Sequence, residues 1–276
     1  MLRQKSCWYF LPVVLAGSVF LAWPENAVND GRAHGDAPYL LEPGWTPLIH
    51  DHDLRGWQYE HPEKGKWTNS RGIFWDGLNQ PKQLQALPGP GDRIANGPHG
   101  ANSNIYTQQK FGDMELYLEF LIPARSNSGV YLHGLYEVQI YDSFGVEHPK
   151  YLDCGAIYER WINNKGEGGT PPMVNASRRP GEWQSYHIWF RSPQFDAAGK
   201  KIANATFLRV LHNGQLIHEN VEAPGPTRSG LEITEAAINP LMLQGDHGPV
   251  AYRNIYWRPL RPFARASPAK LPGSAK

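Results

Sequence analysis

Met114-Glu115-Leu116-Tyr117-Leu118-Glu119-Phe120-Leu121-Ile122 alternates in polarity. Successive side chains of an extended chain point to opposite faces. Leu116, Leu118 and Phe120 therefore share one face, and Glu115, Tyr117 and Glu119 the other, which predicts a half-buried strand. The same period recurs to either side. Ser128–Tyr131 opens a strand, and in Tyr136–Asp142 Val138 and Ile140 are set against Glu137, Gln139 and Tyr141. Gln184–Arg191 continues the pattern, and Thr206–His212 runs through Asn213-Gly214 into Gln215–Glu219. Asn-Gly between alternating runs signals a hairpin, because both residues tolerate positive φ. Leu241–Gly245 and Val250–Arg258 close the series, and no window carries a sustained helical period. Strands at hairpin spacing predict an all-β chain folded as a two-sheet antiparallel β-sandwich.

Composition agrees. Hydrophobic residues make up 41 % and aromatic residues 12 % of the chain, enough for a packed core, while 28 Gly and 24 Pro suit many turns. A formal charge of +1 supplies no electrostatic pull towards nucleic acid or an anionic membrane. Arg3 and Lys5 precede an apolar run from Cys7 to Trp23. Residues 1–24 thus read as an export signal or a retained N-terminal anchor, which would be the chain's only membrane contact. The expected location is periplasmic or extracellular. Residues 25–43 read as a linker, 44–260 as the domain, and 261–276 as a fraying tail. With Cys7 in the leading segment, Cys154 has no partner in the domain and reads as a small buried apolar residue rather than a nucleophile.

Glu137, Gln139 and Tyr141 form a carboxylate–amide–phenol ladder, with neighbours about 7 Å apart on one strand face. Such a ladder suits sugar hydroxyls, which need donors and acceptors together, although a solvated sheet face has the same pattern. His133, His187 and His247 fall at or near strands and would add proton transfer or metal binding if they converged. His50–Asp53 alternates His with Asp like a metal site, but its setting favours an exposed turn. A strand-borne Arg253 more often braces a carboxylate than binds substrate. The carboxylate pair that a conventional glycosidase needs is missing: Glu137 and Asp142 fall on opposite faces. No nucleophile elbow, P-loop or dinucleotide fingerprint occurs.

Nine segments in order carry a family resemblance: Asp53-Leu54-Arg55-Gly56-Trp57, Phe111–Phe120, Asn127-Ser128-Gly129-Val130, Tyr136-Glu137-Val138-Gln139-Ile140, Gly155-Ala156-Ile157-Tyr158, Gly181-Glu182-Trp183, Asn213-Gly214, Leu243–Gly248 and Tyr252-Arg253-Asn254-Ile255. The chain resembles the 3-keto-disaccharide hydrolase family over roughly residues 44–260. It departs where the family often has Arg after N-S-G-(V/I) and this chain has His133, where Gln184 replaces Asn, and in a longer loop at 194–204. The resemblance implies a concanavalin A-like jelly roll acting on a carbohydrate, an oxidised disaccharide or glycoside. A C3 ketone acidifies the hydrogen on C2, so base-assisted elimination expels the aglycone and water then adds. One base and one acid suffice, and the missing carboxylate pair ceases to matter. The implied roles are Glu137 as base or acid with His247 its partner, and Asn127, Gln139 and Arg253 on hydroxyls or the oxyanion. Tyr141, Tyr158 and Gln244 complete the substrate contacts. His133 replaces the usual Arg, or binds a divalent metal ion with His247 as the other candidate ligand. No further cofactor is expected. The competing class is a non-catalytic carbohydrate-binding module, marked by a shallow aromatic platform instead of a deep pocket with a carboxylate and a histidine; a flat surface-assembly protein is a third.

Overall fold

A computed structural model describes residues 37–50, 53–87 and 89–261. The expected export segment lies outside them, as do the tail beyond Arg261 and residues 51 and 52 of the His50–Asp53 run. Two antiparallel sheets face each other. The larger, eight-stranded one runs in the order Gln215–Ala223, Ala205–His212, Gln184–Arg191, Met114–Leu121, Ala251–Pro259, Arg93–Ala95, Thr68–Ser70, with Thr46–Pro47 also pairing to Ala251–Pro259. The five-stranded sheet is ordered Tyr136–Tyr141, Asn127–Leu132, Asn239–Leu243, Ile105–Phe111, Trp57–Tyr59. The expected hairpin forms: Asn213 (φ 49°) and Gly214 (φ 78°) both take the left-handed conformation that joins twisted strands most directly.

The core lies between the sheets. Leu116, Leu118, Phe120, Tyr186, Ile188, Phe190 and Phe207 from the larger sheet meet Val130, Leu132, Val138, Ile140, Leu241 and Leu243 from the smaller. Cys154 sits at its edge, buried, with Sγ 3.2 Å from the Tyr186 hydroxyl, and burial pushes its thiol up, so it packs as the sequence suggested.

Met114–Leu121 differs from expectation, because its polar face is buried too. Residues from Ala37, read as linker, are packed across that face. A short helix, Pro38–Leu41, places Tyr39 in stacked contact with Tyr256 at 4.0 Å, and Trp45 lies 4.4 Å from the Arg258 guanidinium. Beneath them Arg258 donates to both oxygens of Glu115 (2.7 and 2.8 Å) and to Glu42 (2.5 Å), while His187 lies 2.8 Å from Glu115. Burial works to raise the Glu115 carboxyl, but hydrogen bonds from His187 and Arg258 outweigh it and hold it below its ordinary value. Arg258 is 1 % exposed and Glu115 0 %. Removing one partner of such a network strands the other charges in a medium that cannot solvate them. Arg258→Leu is expected to cost about 3–5 kcal/mol in a denaturant titration.

Two further histidines are buried neutral. His212 Nε2 sits 2.9 Å from Gln184 Oε1, and His218 Nε2 sits 2.8 Å from the Gly155 carbonyl. Burial pushes their imidazoles down to about 3 and about 4 from an ordinary 6.5. As pH falls below 6.5 the unfolded chain takes up these protons and the folded chain does not, so this contribution to stability is present at neutral pH and is lost on acidification. The melting temperature should fall between pH 6.5 and pH 4.5, and His218→Gln should make that slope shallower.

Candidate active site

The site lies on the outer face of the smaller sheet. Glu137 stands opposite Tyr131 and Gln139 opposite Gly129, so their side chains share one face with Asn127. The next strand is in register through Met242, opposite Tyr131, which puts Gln244 on this face as well. Residues 155–158 run along the free edge of Tyr136–Tyr141: Gln139 and Tyr158 donate backbone N–H groups to Ala156 and Glu137, and Gly155 donates to Gln139. That pairing carries Tyr158 over the sheet. The loop after Leu243 is clamped. Asn96 donates to the Gly245 and Gly248 carbonyls at 2.9 and 2.8 Å, Asn104 accepts from Gly245 N–H, and Ser126 donates to the Pro249 carbonyl. These bonds fix His247.

The result is a cavity of about 190 Å3, with Asn127, Glu137, Gln139, Tyr158, Gln244 and His247 in its wall, joined by Tyr131, Arg228 and Ser229. Six residues singled out in the sequence therefore converge. Tyr131, Arg228 and Ser229 were missed. Tyr131 sits inside a buried-looking run, although it alternates with Val130 and Leu132 onto the Glu137 face. Arg228 comes from an irregular loop with no periodic signal at all.

Glu137 is 2 % exposed. Its Oε2 accepts a 2.7 Å hydrogen bond from the Tyr131 hydroxyl, and its backbone N–H donates to Thr227 Oγ1. Burial pushes its carboxyl up to about 8; the Tyr131 bond opposes this, and the charge of Asp246 adds to it. Burial likewise raises the Tyr131 phenol far above its ordinary range, so it remains a neutral donor. His247 Nδ1 lies 2.6 Å from Asp246 Oδ1, and that hydrogen bond raises the imidazole above its ordinary value despite partial burial. With Nδ1–H donated to Asp246, Nε2 is the nitrogen available to a ligand. Asn127 Oδ1 and Gln244 Oε1 are buried and have no hydrogen-bond partner among the described residues. Buried acceptors are nearly always satisfied, so two such oxygens in one cavity wall suit hydroxyl donors. The cavity thus brings together a carboxyl that burial has pushed up to about 8, an imidazole that Asp246 has raised, and two buried amide oxygens.

Three expected site residues lie elsewhere. His133, at the end of Asn127–Leu132, is turned into the protein: it is fully buried, its ring packs edge-on against Phe190 at 5.2 Å, and Nε2 lies 3.3 Å from the Gly112 carbonyl. It occupies the core side, where an arginine would strand its charge, so it neither replaces a substrate-binding Arg nor joins His247 around a metal ion. Among the described residues no three His, Cys, Asp or Glu side chains converge as metal ligands. Arg253 is on the outer face of the other sheet, with Nε 2.5 Å from Glu119 and its guanidinium 4.2 Å from the Trp183 ring. It braces a carboxylate. Tyr141 is on the predicted face but 38 % exposed and beyond the cavity wall, because the strand ends there.

A larger cavity, about 450 Å3, opens beside Arg253 between Tyr117, Glu119, Trp183 and His187. Its carboxylate is already satisfied: Glu119 accepts from Tyr117, Arg253 and Asn254. The smaller cavity holds two unpartnered buried acceptors beside a desolvated carboxyl and is the better candidate for chemistry.

A two-sheet sandwich with this polar cavity belongs among the carbohydrate-active, hydrolase- or lyase-like β-sandwich proteins. More narrowly, the chain is a member of the 3-keto-alpha-glucoside-1,2-lyase-like domain family, which matches residues 44–258. Its fold is shared with a candidate glycosyl hydrolase of Parabacteroides distasonis at 27 % identity and a TM-score of 0.55, over 79 % of this chain and 84 % of that one. A second candidate glycosyl hydrolase of the same organism aligns at 15 % identity and a TM-score of 0.52, over 79 % and 94 % of the two chains. No curated protein matches the chain in sequence.

Gly129 carries a direct test of the site's construction. A Cβ on residue 129 would collide with Glu137 Oε1, so only glycine leaves the slot in which the carboxylate is held. Gly129→Ala should push the carboxylate towards water and bring its titration midpoint from about 8 towards an ordinary 4.5, read by carbon-detected NMR of the side chain.

Proposed function

We propose that the domain cleaves the glycosidic bond of 3-keto-glycosides by elimination followed by hydration. The observation that carries this reading is Glu137, a buried carboxylate with its pKa pushed up to about 8, in one cavity wall with the Asp246-paired His247. In the reaction Glu137 takes the proton from C2. The C2–H electron pair moves towards the C3 ketone, whose oxygen becomes the enolate. The C1–O bond then breaks, and the departing oxygen receives the proton of His247. Water adds across the resulting C1=C2 bond: its hydroxyl goes to C1, and the proton held by Glu137 returns to C2. His247 recovers its proton from that water, so the net change is hydrolysis.

Each group suits its step. A base is stronger the higher its pKa, and about 8 lies close to working pH, where base strength and ionised fraction are both adequate. An acid for a leaving alkoxide must hold its proton until it is needed, and Asp246 favours the protonated imidazole. Arg228 supplies positive charge near the developing enolate, the role that Arg253 was expected to fill. Asn127 and Gln244 accept hydrogen bonds from substrate hydroxyls, and Gln139 and Tyr158 complete the orientation of the ring. A lectin-like module is the weaker reading, because sugar binding alone does not require a desolvated carboxylate, which costs stability while ionised.

Glu137→Gln should lower kcat/KM for a 3-keto-glycoside by about 10³-fold or more, and His247→Ala by about 10²-fold or more. Glu137 must be ionised to act as base, so the rising limb of kcat/KM against pH should sit near 8 and vanish in Glu137→Gln. The unoxidised glycoside should remain intact. Full activity in Glu137→Gln, or equal cleavage of the unoxidised substrate, would sink the reading.

A further inference from the structure

We infer that Trp161 is a stacking platform for the aglycone, so that the chain prefers glycosides whose leaving group is itself a ring. This rests on the cavity being the seat of the reacting sugar. A volume of about 190 Å3 is of the order of one monosaccharide ring. The unit being expelled must then extend through the mouth, and what stands at the mouth decides which leaving groups are held.

Arg228 lines the cavity, and its guanidinium carbon lies 3.9 Å from the centroid of the Trp161 ring. The indole is therefore one side chain from the reacting site. It belongs to no hydrophobic cluster among the described residues and is 47 % exposed, so core packing does not account for it. It projects from a short hairpin of Arg160–Ile162 and Lys165–Glu167, where it pairs with Gly166. A glycine opposite means that no cross-strand side chain covers the ring. Gly166 serves a second purpose: a Cβ there would collide with the Glu159 carboxylate. Glu159 uses that space for a 3.8 Å ion pair with the Arg228 guanidinium, and separately its backbone carbonyl accepts from the Arg228 backbone N–H at 2.8 Å.

The indole is thereby braced by a guanidinium on one side and remains open to solvent. A rigid, half-exposed aromatic surface attracts a flat partner with polarised C–H groups, which both a pyranose ring and a phenyl ring present. A methyl aglycone is too small to cover it. The bracing also orders the platform before the ligand arrives, so little rotamer entropy remains to be lost on binding.

The test uses three 3-keto-glucosides, with methyl, phenyl and glucosyl aglycones, titrated calorimetrically against the Glu137→Gln protein. The phenyl and glucosyl ligands should bind about tenfold more tightly than the methyl ligand. In Glu137→Gln/Trp161→Ala the three should converge, whereas Glu137→Gln/Trp161→Tyr should retain most of the preference. A preference for only one of the two ring ligands also supports the platform and tells which ring it suits. Equal affinities in the parent protein, no measurable binding of the ring ligands, or a preference that survives Trp161→Ala would overturn the inference. Turnover by the wild type is followed separately: intact substrates alongside an intact ring preference would remove the reaction but leave the platform.

Discussion

A carboxylate held away from water, with no ion-pair partner among the described residues, is the constraint around which the smaller sheet is organised. Glu137 points outward from the core, where a carboxylate would ordinarily be solvated. It is buried because residues 155–158 extend the sheet beside it, the loop through Thr227 and Arg228 passes over it, and Tyr131 closes its flank. Each neighbour is specified by that need. Gly129 makes the slot, and Tyr131 satisfies one oxygen without neutralising its charge. The price is a destabilised anion, and a destabilised anion is a base.

The two outer faces show opposite treatments of buried charge. On the larger sheet Glu115 is surrounded by Arg258 and His187 and roofed by the segment from Ala37, so its proton affinity falls and the network contributes only structure. On the smaller sheet burial raises the proton affinity of Glu137, the nearby charge of Asp246 adds to the rise, and the Tyr131 phenol offsets only part of it. Residue type does not separate the two, since both are glutamates on alternating strands. What separates them is that hydrogen bonds from Arg258 and His187 outweigh the burial of Glu115, whereas a neutral phenol only partly offsets that of Glu137.

Period-two alternation made the strands and the core face legible, and a local hairpin signal placed Asn213-Gly214 correctly. The cavity residues on strands, Asn127, Glu137 and Gln139, were legible for the same reason, because register puts them on one face. Alternation says which face a residue takes, but not which sheet its strand joins. Arg253 was therefore read with Glu137, although its strand pairs with Met114–Leu121 in the other sheet. His133 follows the last paired residue of its strand and has φ 56°, so the alternation ends there and its ring turns inward. Arg228 and Trp161 arrive through irregular or hairpin segments, whose placement depends on long-range contacts that no local pattern encodes.

The docking of residues 37–48 has a directional consequence. The described chain enters on the outer face of the larger sheet, with Ala37 and Pro38 beside Tyr117 and Glu119, and the Glu137 cavity opens on the opposite side of the sandwich. Anything that holds the domain from that end grips the face away from the mouth. Residues 37–48 thus divide the sandwich into a roofed face and a face left to the mouth, and Arg258, bonded to Glu42 and Glu115, is the bolt that fixes this division.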